Sequence, residues 1–233
     1  MDRDTEDLLH DIASGKSAVR RKAAARLAAL KDPETVEPLI AMLGHPDFPT
    51  HRAIIATLGA IGDARAFEPL SDLLEVPRAY CDELVLAFGN IRDPRSGALL
   101  TKLLLEGEVW HAVCAADALG QLKPEGAATS LVKAAKADRL QPRFHALRAL
   151  ATFDCESGLF DDLLPMLDLE DRETIRLAGL CLLRMDEARA SMALRPLLRS
   201  GSVDVRRGAA EALAKFGDPD AQRALMTFGC IAF

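Results

Sequence analysis

The chain contains 233 residues with a formal net charge of −6, and 49% of its residues are hydrophobic. Aromatic residues make up only 5%, so alanine and leucine, which favour helices, supply most of the apolar content. The negative charge argues against a protein that coats nucleic acid. No apolar run reaches the roughly 18 residues of a membrane-spanning helix, and the acidic start Met1–Asp7 lacks the apolar core of a signal peptide.

The cysteines argue against a disulfide framework. The chain holds five of them, an odd number, and no two have the CxxC spacing of a redox or metal motif. Because reduced thiols are typical of the cytoplasm, this pattern predicts a cytoplasmic protein.

Apolar residues recur at helical spacing and are interrupted at short intervals by Gly, Pro and Asp. This pattern predicts helices in pairs, which we call the first and the second helix of each pair. Asp32, for example, is placed to cap a helix whose first turn holds Pro33, where the missing N–H group costs nothing. In chain order the predicted helices are Thr5–Ala13, Ser17–Leu30, Pro33–Leu43, Phe48–Ile61, Ala64–Leu74, Pro77–Ile91, Pro94–Leu105, Val109–Leu122, Glu125–Lys136, Pro142–Phe153, Ser157–Leu167, Arg172–Met185, Glu187–Leu198, Val203–Phe216 and a last helix from Pro219.

A bulky apolar residue returns near the end of every second helix, at intervals of 30 to 33 residues. These anchor residues are Leu27, Leu58, Phe88, Leu119, Leu150, Leu183 and Leu213. A period of this length is typical of repeat proteins, in which no single helix pair can bury its own apolar face. The sequence therefore predicts an all-α stack of about seven helix pairs and a final helix, forming one domain over residues 1–233.

Two further registers repeat with the anchor. Proline falls inside four first helices, at Pro38, Pro69, Pro165 and Pro196, which predicts a shared and tolerated kink. Alanine pairs such as Ala115-Ala116 on the second helices predict close approach between neighbouring helices.

An arginine column lies seven residues before the anchor, and it is interrupted in the middle of the chain. Its members are Arg20, His51, Cys81, Ala112, Arg143, Arg176 and Arg206. We expect these arginines to serve structure by pairing with turn aspartates of neighbouring pairs. Where the column is interrupted, other residues are expected to serve function.

These motifs resemble HEAT repeats, in particular the short repeats of the phycobilisome-lyase HEAT-like type. The resemblance is carried by Val19-Arg20 with Leu27 and Asp32-Pro33, by the Leu58–Asp63 segment, and by Val205-Arg206 with Gly217-Asp218-Pro219. It implies a right-handed α-solenoid with the second helices lining its concave face. It does not imply one activity, because solenoids of this kind serve many roles.

Four aromatic residues near the starts of the second helices are the strongest functional signal. Phe48, Tyr80, Trp110 and Phe144 fall in consecutive pairs, and Tyr80 and Trp110 are the only Tyr and Trp of the chain. The polar residues among them are His51, Arg52, Asp82, Glu83, His111, Asp117, His145 and Arg148. Aromatic anchors with a polar rim are typical of interaction hot spots. We therefore predict a groove that binds a protein or peptide segment, with rings that fill gaps between helix layers as the alternative.

Other functions find less support in the residues. Basic clusters at Arg20–Lys22 with Arg26 and at Arg206-Arg207 leave a DNA-glycosylase-like solenoid as one alternative, although the net charge is negative. The resemblance leaves a bilin lyase or chaperone as another. His51, Cys81, His111 and Cys114 are possible zinc ligands, but none has a recognised local spacing. Because no catalytic motif is present, we predict a non-enzymatic adaptor without cofactor or metal.

The C-terminal stretch 224–233 is apolar, whereas the ends of repeat stacks are usually polar. The last helix is therefore expected either to pack back as a cap or to expose an edge that forms a homodimer.

Overall fold

A computed structural model describes residues 2–75, 81–91, 93–153 and 157–229. Within these residues every regular element is an α-helix or a short 3-10 helix, which confirms the predicted all-α class. No helix in the described ranges has the length and apolar character needed to cross a bilayer. The α-helices are α1 Arg3–Ser14, α2 Ser17–Leu30, α3 Val36–Ala41, α4 Phe48–Ile61, α5 Phe67–Asp72, α6 Cys81–Ile91, α7 Pro94–Glu106, α8 Val109–Leu122, α9 Ala127–Lys136, α10 Leu140–Leu150, α11 Phe160–Leu163, α12 Arg172–Met185, α13 Glu187–Leu194, α14 Val203–Lys215 and α15 Pro219–Gly229.

The helices fall into two compact units, Met1–Leu100 (unit 1) and Thr101–Phe233 (unit 2). In unit 1 the second helix α4 packs against its neighbours α2 and α6, and in unit 2 α8 packs against α10 and α12 against α14. Neighbouring second helices are therefore in direct contact within each unit, as the repeat period predicts. That residues 1–233 form a single domain stays a prediction.

The second helices match their predicted bounds most closely. The structure reproduces both predicted ends of α2, α4, α8 and α12. Side-chain caps set the starts of α4 and α12, since the Asp47 carboxylate accepts a hydrogen bond from the Thr50 N–H group and Asp171 accepts one from Thr174. The predicted helix Pro77–Ile91 is described only as α6, because residues 76–80 lie outside the described part.

The first helices are shorter than predicted wherever they contain proline. Pro38 lies in α3 and Pro69 in α5, and both helices are flanked by 3-10 turns on each side. Pro165 and Pro196 lie within 3-10 segments, whereas α1, α7 and α9 have no internal proline and continue as α-helix. Proline removes one backbone donor and clashes with the preceding turn, so the chain changes to the tighter 3-10 geometry. At these prolines, where the sequence analysis predicted a shared kink, the structure shows a change in helix type.

The anchor column forms the core. All seven predicted anchor side chains are at most 2% exposed. In α4, α8, α10 and α14 the anchor is the eleventh residue of the helix, but the eleventh residue of α12 is Leu182, which is also fully buried. The predicted anchor Leu183 is therefore wrong by one position, because two adjacent leucines are both buried and the sequence does not distinguish them.

The arginine column caps first helices within its own pair. Arg20 Nε donates to the Ile12 carbonyl at 3.2 Å, and Arg143 Nε donates to the Ala135 carbonyl at 3.1 Å. Both carbonyls lie in the last turn of a first helix, where they lack an intrahelical partner and carry the negative end of the helix dipole. The expected pairing with a turn aspartate of a neighbouring pair occurs at Arg20, whose guanidinium lies 3.2 Å from Asp47.

His51 continues this column rather than interrupting it. Its Nε2 atom contacts the Leu43 carbonyl, eight residues earlier, which is the spacing of the Arg20 and Arg143 contacts. Arg176, by contrast, is shifted from the column by the one-residue error at Leu183, and it pairs with Glu173 on its own helix. Histidine at position 51 therefore has a structural role of the same kind as the arginines.

Three arginines that the sequence analysis missed connect successive first helices. Arg65 binds Asp63 at 2.8 Å and Glu37 at 3.3 Å, and Arg95 binds Asp93 at 2.8 Å and also pairs with Glu68. Arg189 pairs with a carboxylate 28 residues earlier, Asp161. The guanidinium of Arg95 lies 4.1 Å from the centre of the Phe67 ring, and that of Arg189 lies equally close to Phe160. We call Arg65, Arg95 and Arg189 the bridging arginines.

The carboxylates paired with the bridging arginines make the free energy of unfolding depend on pH. Hydrogen bonds from the Arg95 side chain and from its backbone N–H group hold the pKa of Asp93 below its usual range, and the side chain of Arg65 does the same for the pKa of Asp63. A carboxyl group whose folded pKa is depressed stabilises the protein above the unfolded value of about 3.9. This stabilisation is lost as the pH falls through the lower folded pKa.

We expect Arg95→Ala to lower the free energy of unfolding at pH 7. The difference from wild type is expected to become smaller as the pH falls toward 3. The measurement is urea unfolding from pH 7 down to pH 3. Arg223→Ala is the control, because Arg223 and its partner Asp220 are both exposed on one helix. A loss that stays constant across this pH range would contradict the role of the Asp93 carboxylate.

Candidate functional site

The predicted aromatic residues do not share one register. Phe48 is the first residue of α4, Trp110 is the second residue of α8, and Phe144 is the fifth residue of α10. Phe48 is 50% exposed and Trp110 is 45% exposed, whereas Phe144 is less exposed. Tyr80 lies outside the described residues. About half of the surface of Phe48 and of Trp110 is therefore exposed, although the two rings do not lie in one column.

A different column contains Phe48. The first residues of α8, α10 and α14 are Val109, Leu140 and Val203, and each is about half exposed, as Phe48 is. The sequence analysis missed this column because Val and Leu at the start of an apolar helix look like core residues. Its signal was present, since all four residues lie ten positions before their anchor.

In unit 1 the predicted rim residues connect two second helices. Arg52 of α4 donates from Nε to Glu83 of α6 at 2.5 Å, 31 residues away, and its Nη2 atom contacts the same carboxylate oxygen. His51 is directed to the Leu43 carbonyl and so does not join this pair. The side chain of Asp82 lies outside the description. The structure thus brings together Arg52 and Glu83 but directs His51 elsewhere.

In unit 2 the equivalent pair, Asp117 and Arg148, is joined by a third residue, His145. Arg148 Nη2 donates to both oxygens of Asp117 at 3.0 and 3.1 Å, again 31 residues apart. His145 Nδ1 lies 2.9 Å from Asp117 and 2.9 Å from Arg148 Nη2, so it can donate to the first or accept from the second, according to its tautomer. We call Asp117, His145 and Arg148 the charged cluster.

An open cavity of about 280 Å³ lies beside the charged cluster. It is lined by Asp117, Gly120, Gln121, Arg148, Ala149 and Thr152. Two of these residues are closely packed, because a Cβ atom placed on Gly120 would lie 2.9 Å from the Ala149 Cβ. The lining therefore combines polar side chains with a close contact between α8 and α10.

The starts of α8 and α10 lie side by side. Arg139 Nη2, from the residue before α10, donates to the Gly107 carbonyl at 2.7 Å, just before α8 begins. This contact connects the segments that carry Val109 and Trp110 to the segment that carries Leu140. The three half-exposed apolar side chains of these segments, Val109, Trp110 and Leu140, are called the edge patch.

The comparison with known protein families identifies the same kind of repeat that the sequence pattern predicts. The sequence model of HEAT repeats matches residues 5–81 and 160–228, which together exceed half of the chain. The chain belongs to the HEAT-repeat family. Its fold class is therefore the all-α solenoid type that the repeat period predicts.

Two curated relatives of this HEAT-repeat chain are bilin biosynthesis proteins PecE. The one from Nostoc sp. is 43% identical over 81 residues, which is 34% of this chain and 32% of the relative. The one from Mastigocladus laminosus is 43% identical over 89 residues, which is 37% of this chain and 33% of the relative. The chain thus aligns with about a third of the length of these relatives.

Solved structures show likeness at the level of the fold. The complex of CpcE and CpcF of phycocyanin lyase from Nostoc sp. matches with 22% identity and a TM-score of 0.42, over 83% of this chain and 82% of that chain. Human deoxyhypusine hydroxylase matches with 20% identity and a TM-score of 0.45, over 97% of this chain and 89% of that chain.

The basic clusters of the HEAT-repeat chain are partly engaged by the protein itself. Arg20 contacts Ile12 and Asp47, as described above. Arg206 Nη1 donates to the Ser200 carbonyl at 2.6 Å, and Arg207 pairs with Glu211 at 3.2 Å. These contacts account for three of the arginines on which the nucleic-acid alternative depended.

The described part of the chain shows no metal site at the residues considered for zinc. In the part of the chain that the structure describes, no group of three or more His, Cys, Asp or Glu side chains could hold a metal ion. His51 is directed to a carbonyl, Cys114 is buried in α8, and the Cys81 side chain lies outside the description. His111 Nε2 is buried and has no hydrogen-bond partner among the described residues.

The last helix packs on its neighbour. α15 contacts α14, and its residue Ala221 is fully buried. Asp218 caps the start of α15 through the Ala221 N–H group at 3.0 Å and also binds Arg195 at 3.0 Å. The packing on α14 agrees with the first predicted alternative, a cap, which stays a prediction. Residues 230–233 lie outside the described part, and a homodimer through them stays a prediction.

Proposed function

We propose that this HEAT-repeat protein is a non-enzymatic adaptor that binds a protein or peptide segment on the exposed face of its second helices. The carrying observation is Trp110, a tryptophan left 45% exposed at the start of α8 in a chain that has only one. A partner that covers this ring gains apolar burial that folding does not supply.

The neighbouring groups suit such a surface. Tryptophan and arginine are enriched among the residues that dominate binding energies, and Arg148 is exposed in the charged cluster on the next helix. Asp117 already orients this guanidinium, so a partner meets a fixed donor rather than a flexible side chain. Such charged groups supply orientation and specificity more than affinity.

We propose a smaller set of site residues than the sequence analysis does. In unit 2 it comprises Trp110, Phe144, Arg148 and the adjoining His111, and in unit 1 it comprises Phe48 with the Arg52–Glu83 pair. Tyr80 and Asp82 remain proposed members on sequence grounds alone. His51 is left out, because its contact with Leu43 already explains it.

We expect Trp110→Ala to weaken binding of the natural partner by about 30-fold or more, which corresponds to a hot-spot loss of about 2 kcal/mol. The measurement is affinity capture from source cells with the intact chain, followed by mass spectrometry and a titration of the captured protein. Met192→Ala is the matched control, because Met192 is exposed but lies on the first helix α13. Equal capture by wild type and by a folded Trp110→Ala variant would refute the proposal.

A role in bilin metabolism is the second candidate. It is favoured by the 43% identity to PecE, a bilin biosynthesis protein. The experiment is to titrate the intact chain with an open-chain tetrapyrrole such as biliverdin and to follow its visible absorption and the emission of Trp110. A saturable spectral change at equimolar protein would favour this candidate, and an unchanged spectrum would count against bilin binding by this chain.

Two further proposals concern the compartment and the oligomeric state of the protein. The odd cysteine count supports a reducing compartment, the cytoplasm, which fractionation of source cells would test. Self-association through the C-terminal end remains proposed on the apolar residues of 224–233, and light scattering over a range of concentrations would test it.

A further inference from the structure

Three acidic residues lie close in the chain to the residues of the edge patch. Glu106 and Glu108 come just before Val109, and Asp138 comes two residues before Leu140. All three acidic residues are exposed, and the Asp138 side chain is fully so. Since the Arg139–Gly107 hydrogen bond connects the two segments, these carboxylates border the same apolar surface.

The cations of the neighbouring segments already have partners within the protein, and the exposed Lys136 pairs with Asp162 at 2.9 Å. Arg139 donates to the Gly107 carbonyl, and Arg143, only 12% exposed, donates to the carbonyls of Ala135 and Ala137 at 3.1 and 2.9 Å. Both guanidinium groups are therefore directed at backbone oxygens near helix ends. Arg143 also lies 3.9 Å from Asp138, a distance at which a solvated pair contributes little.

The Glu108 side chain does not cap the helix that follows it. It occupies the cap position before α8, yet its side chain makes no capping hydrogen bond, unlike Asp47 and Asp171 at the starts of α4 and α12. A glutamate directly before an exposed Val109 and Trp110 therefore leaves its carboxylate facing solvent. The surface next to the only tryptophan combines apolar area with negative charge.

We infer that the segment bound at the edge patch is a basic, apolar peptide, with Lys or Arg next to Leu, Ile or an aromatic residue. This inference rests on the proposed function, since it names the chemistry of the partner at that surface. Apolar side chains of the segment cover Val109, Trp110 and Leu140, while its cations meet the surrounding carboxylates. A cation can also lie over the face of the Trp110 indole, which attracts positive charge.

The first test is a selection of random 12-residue displayed peptides on the intact protein, with Leu140→Ala as the counter-selection. Leu140 is half exposed at a helix start, so its truncation leaves the fold intact. We expect enrichment of peptides in which Lys or Arg adjoins large apolar residues. Enrichment of acidic or uncharged apolar peptides, or no enrichment, would overturn the inference.

The second test measures the selected consensus peptide in solution. Trp110 is the only tryptophan, so its emission reports binding at the edge patch without a label. Glu108→Gln combined with Asp138→Asn is expected to weaken binding about fivefold and to reduce its salt dependence, as expected for solvated charge pairs. The matched control is Asp168→Asn combined with Glu187→Gln, two exposed acids elsewhere in unit 2.

The outcomes separate this inference from the proposed function. Binding that is unchanged in the Glu108→Gln, Asp138→Asn variant would overturn the basic partner but leave a protein-binding surface at Trp110 in place. Loss of natural-partner capture in Trp110→Ala is measured independently of any peptide, so the proposed function stands or fails on that result.

Discussion

Replacing Phe88 with alanine is expected to lower the free energy of unfolding by about 4 kcal/mol, within the range for buried Phe to Ala changes. Phe88 is the anchor of α6 and is fully buried. Its ring packs edge-to-face against Phe67 of α5, with ring centres 5.6 Å apart. The truncation removes both the apolar burial and this ring contact, and it leaves a cavity between a first and a second helix.

The size of this effect is large relative to the stability of a typical domain, about 5 to 15 kcal/mol. Urea unfolding followed by circular dichroism would measure it. Leu86→Ala is the matched control, because Leu86 lies two residues earlier on α6 and is 54% exposed. We expect its loss to stay near 0.5 kcal/mol. Similar losses for both variants would mean that α6 does not bury the face described for it.

Gly59→Ala is expected to destabilise the protein by about 2 kcal/mol, although alanine is the better helix former by about 1 kcal/mol. Gly59 lies in the middle of α4, against α6. A Cβ atom there would lie 2.5 Å from the Ala87 Cα and 2.7 Å from the Ala87 Cβ. Backbone atoms of a packed helix cannot move aside as a flexible side chain can, so overpacking outweighs the gain in propensity.

Gly44→Ala is the matched control, because a Cβ atom on Gly44 would meet no atom within 4 Å. We expect its free energy of unfolding to stay within about 0.5 kcal/mol of wild type. Thermal and urea unfolding would measure both variants. A Gly59→Ala protein that is more stable than wild type would show that α4 and α6 are further apart than the structure places them.

The second helices could be predicted well because several signals agree. Periodic leucine and alanine, a capping Asp and the absence of proline beyond the first turn determine the bounds of helices such as α4 and α12. The first helices were harder, because proline signals a break but does not say whether a kink or a 3-10 turn follows. The anchor of α12 was placed at Leu183 instead of Leu182 for a similar reason, since both adjacent leucines are buried and burial alone does not distinguish them.

The bridging arginines escaped the sequence analysis because their partners are distant in the chain. The Arg95 and Glu68 side chains meet across 27 residues, and nothing local distinguishes them from solvated surface charges. The structural contact of His51 was missed for a different reason. A histidine in an arginine column looks like a functional replacement, yet its imidazole can reach a carbonyl just as a guanidinium does.

The candidate site could be predicted in part. That Trp110 and Arg148 are exposed on second helices follows from helical spacing and the rarity of Trp in this chain. The edge patch and its acidic border could not be found in this way, because they depend on the Arg139–Gly107 contact between two loops. Residues 32 positions apart come together there only through the stacking of α8 and α10.

The contact between the arginine column and the preceding helix end has a consequence for gene duplication and for protein engineering. Arg143 and the carbonyls that it caps belong to the same pair, so a duplicated or deleted pair carries both halves of the contact with it. Arg95 and Glu68, in contrast, belong to successive pairs. A whole-pair cassette can therefore be moved without uncapping a helix, provided that the new neighbour supplies an acid for its bridging arginine.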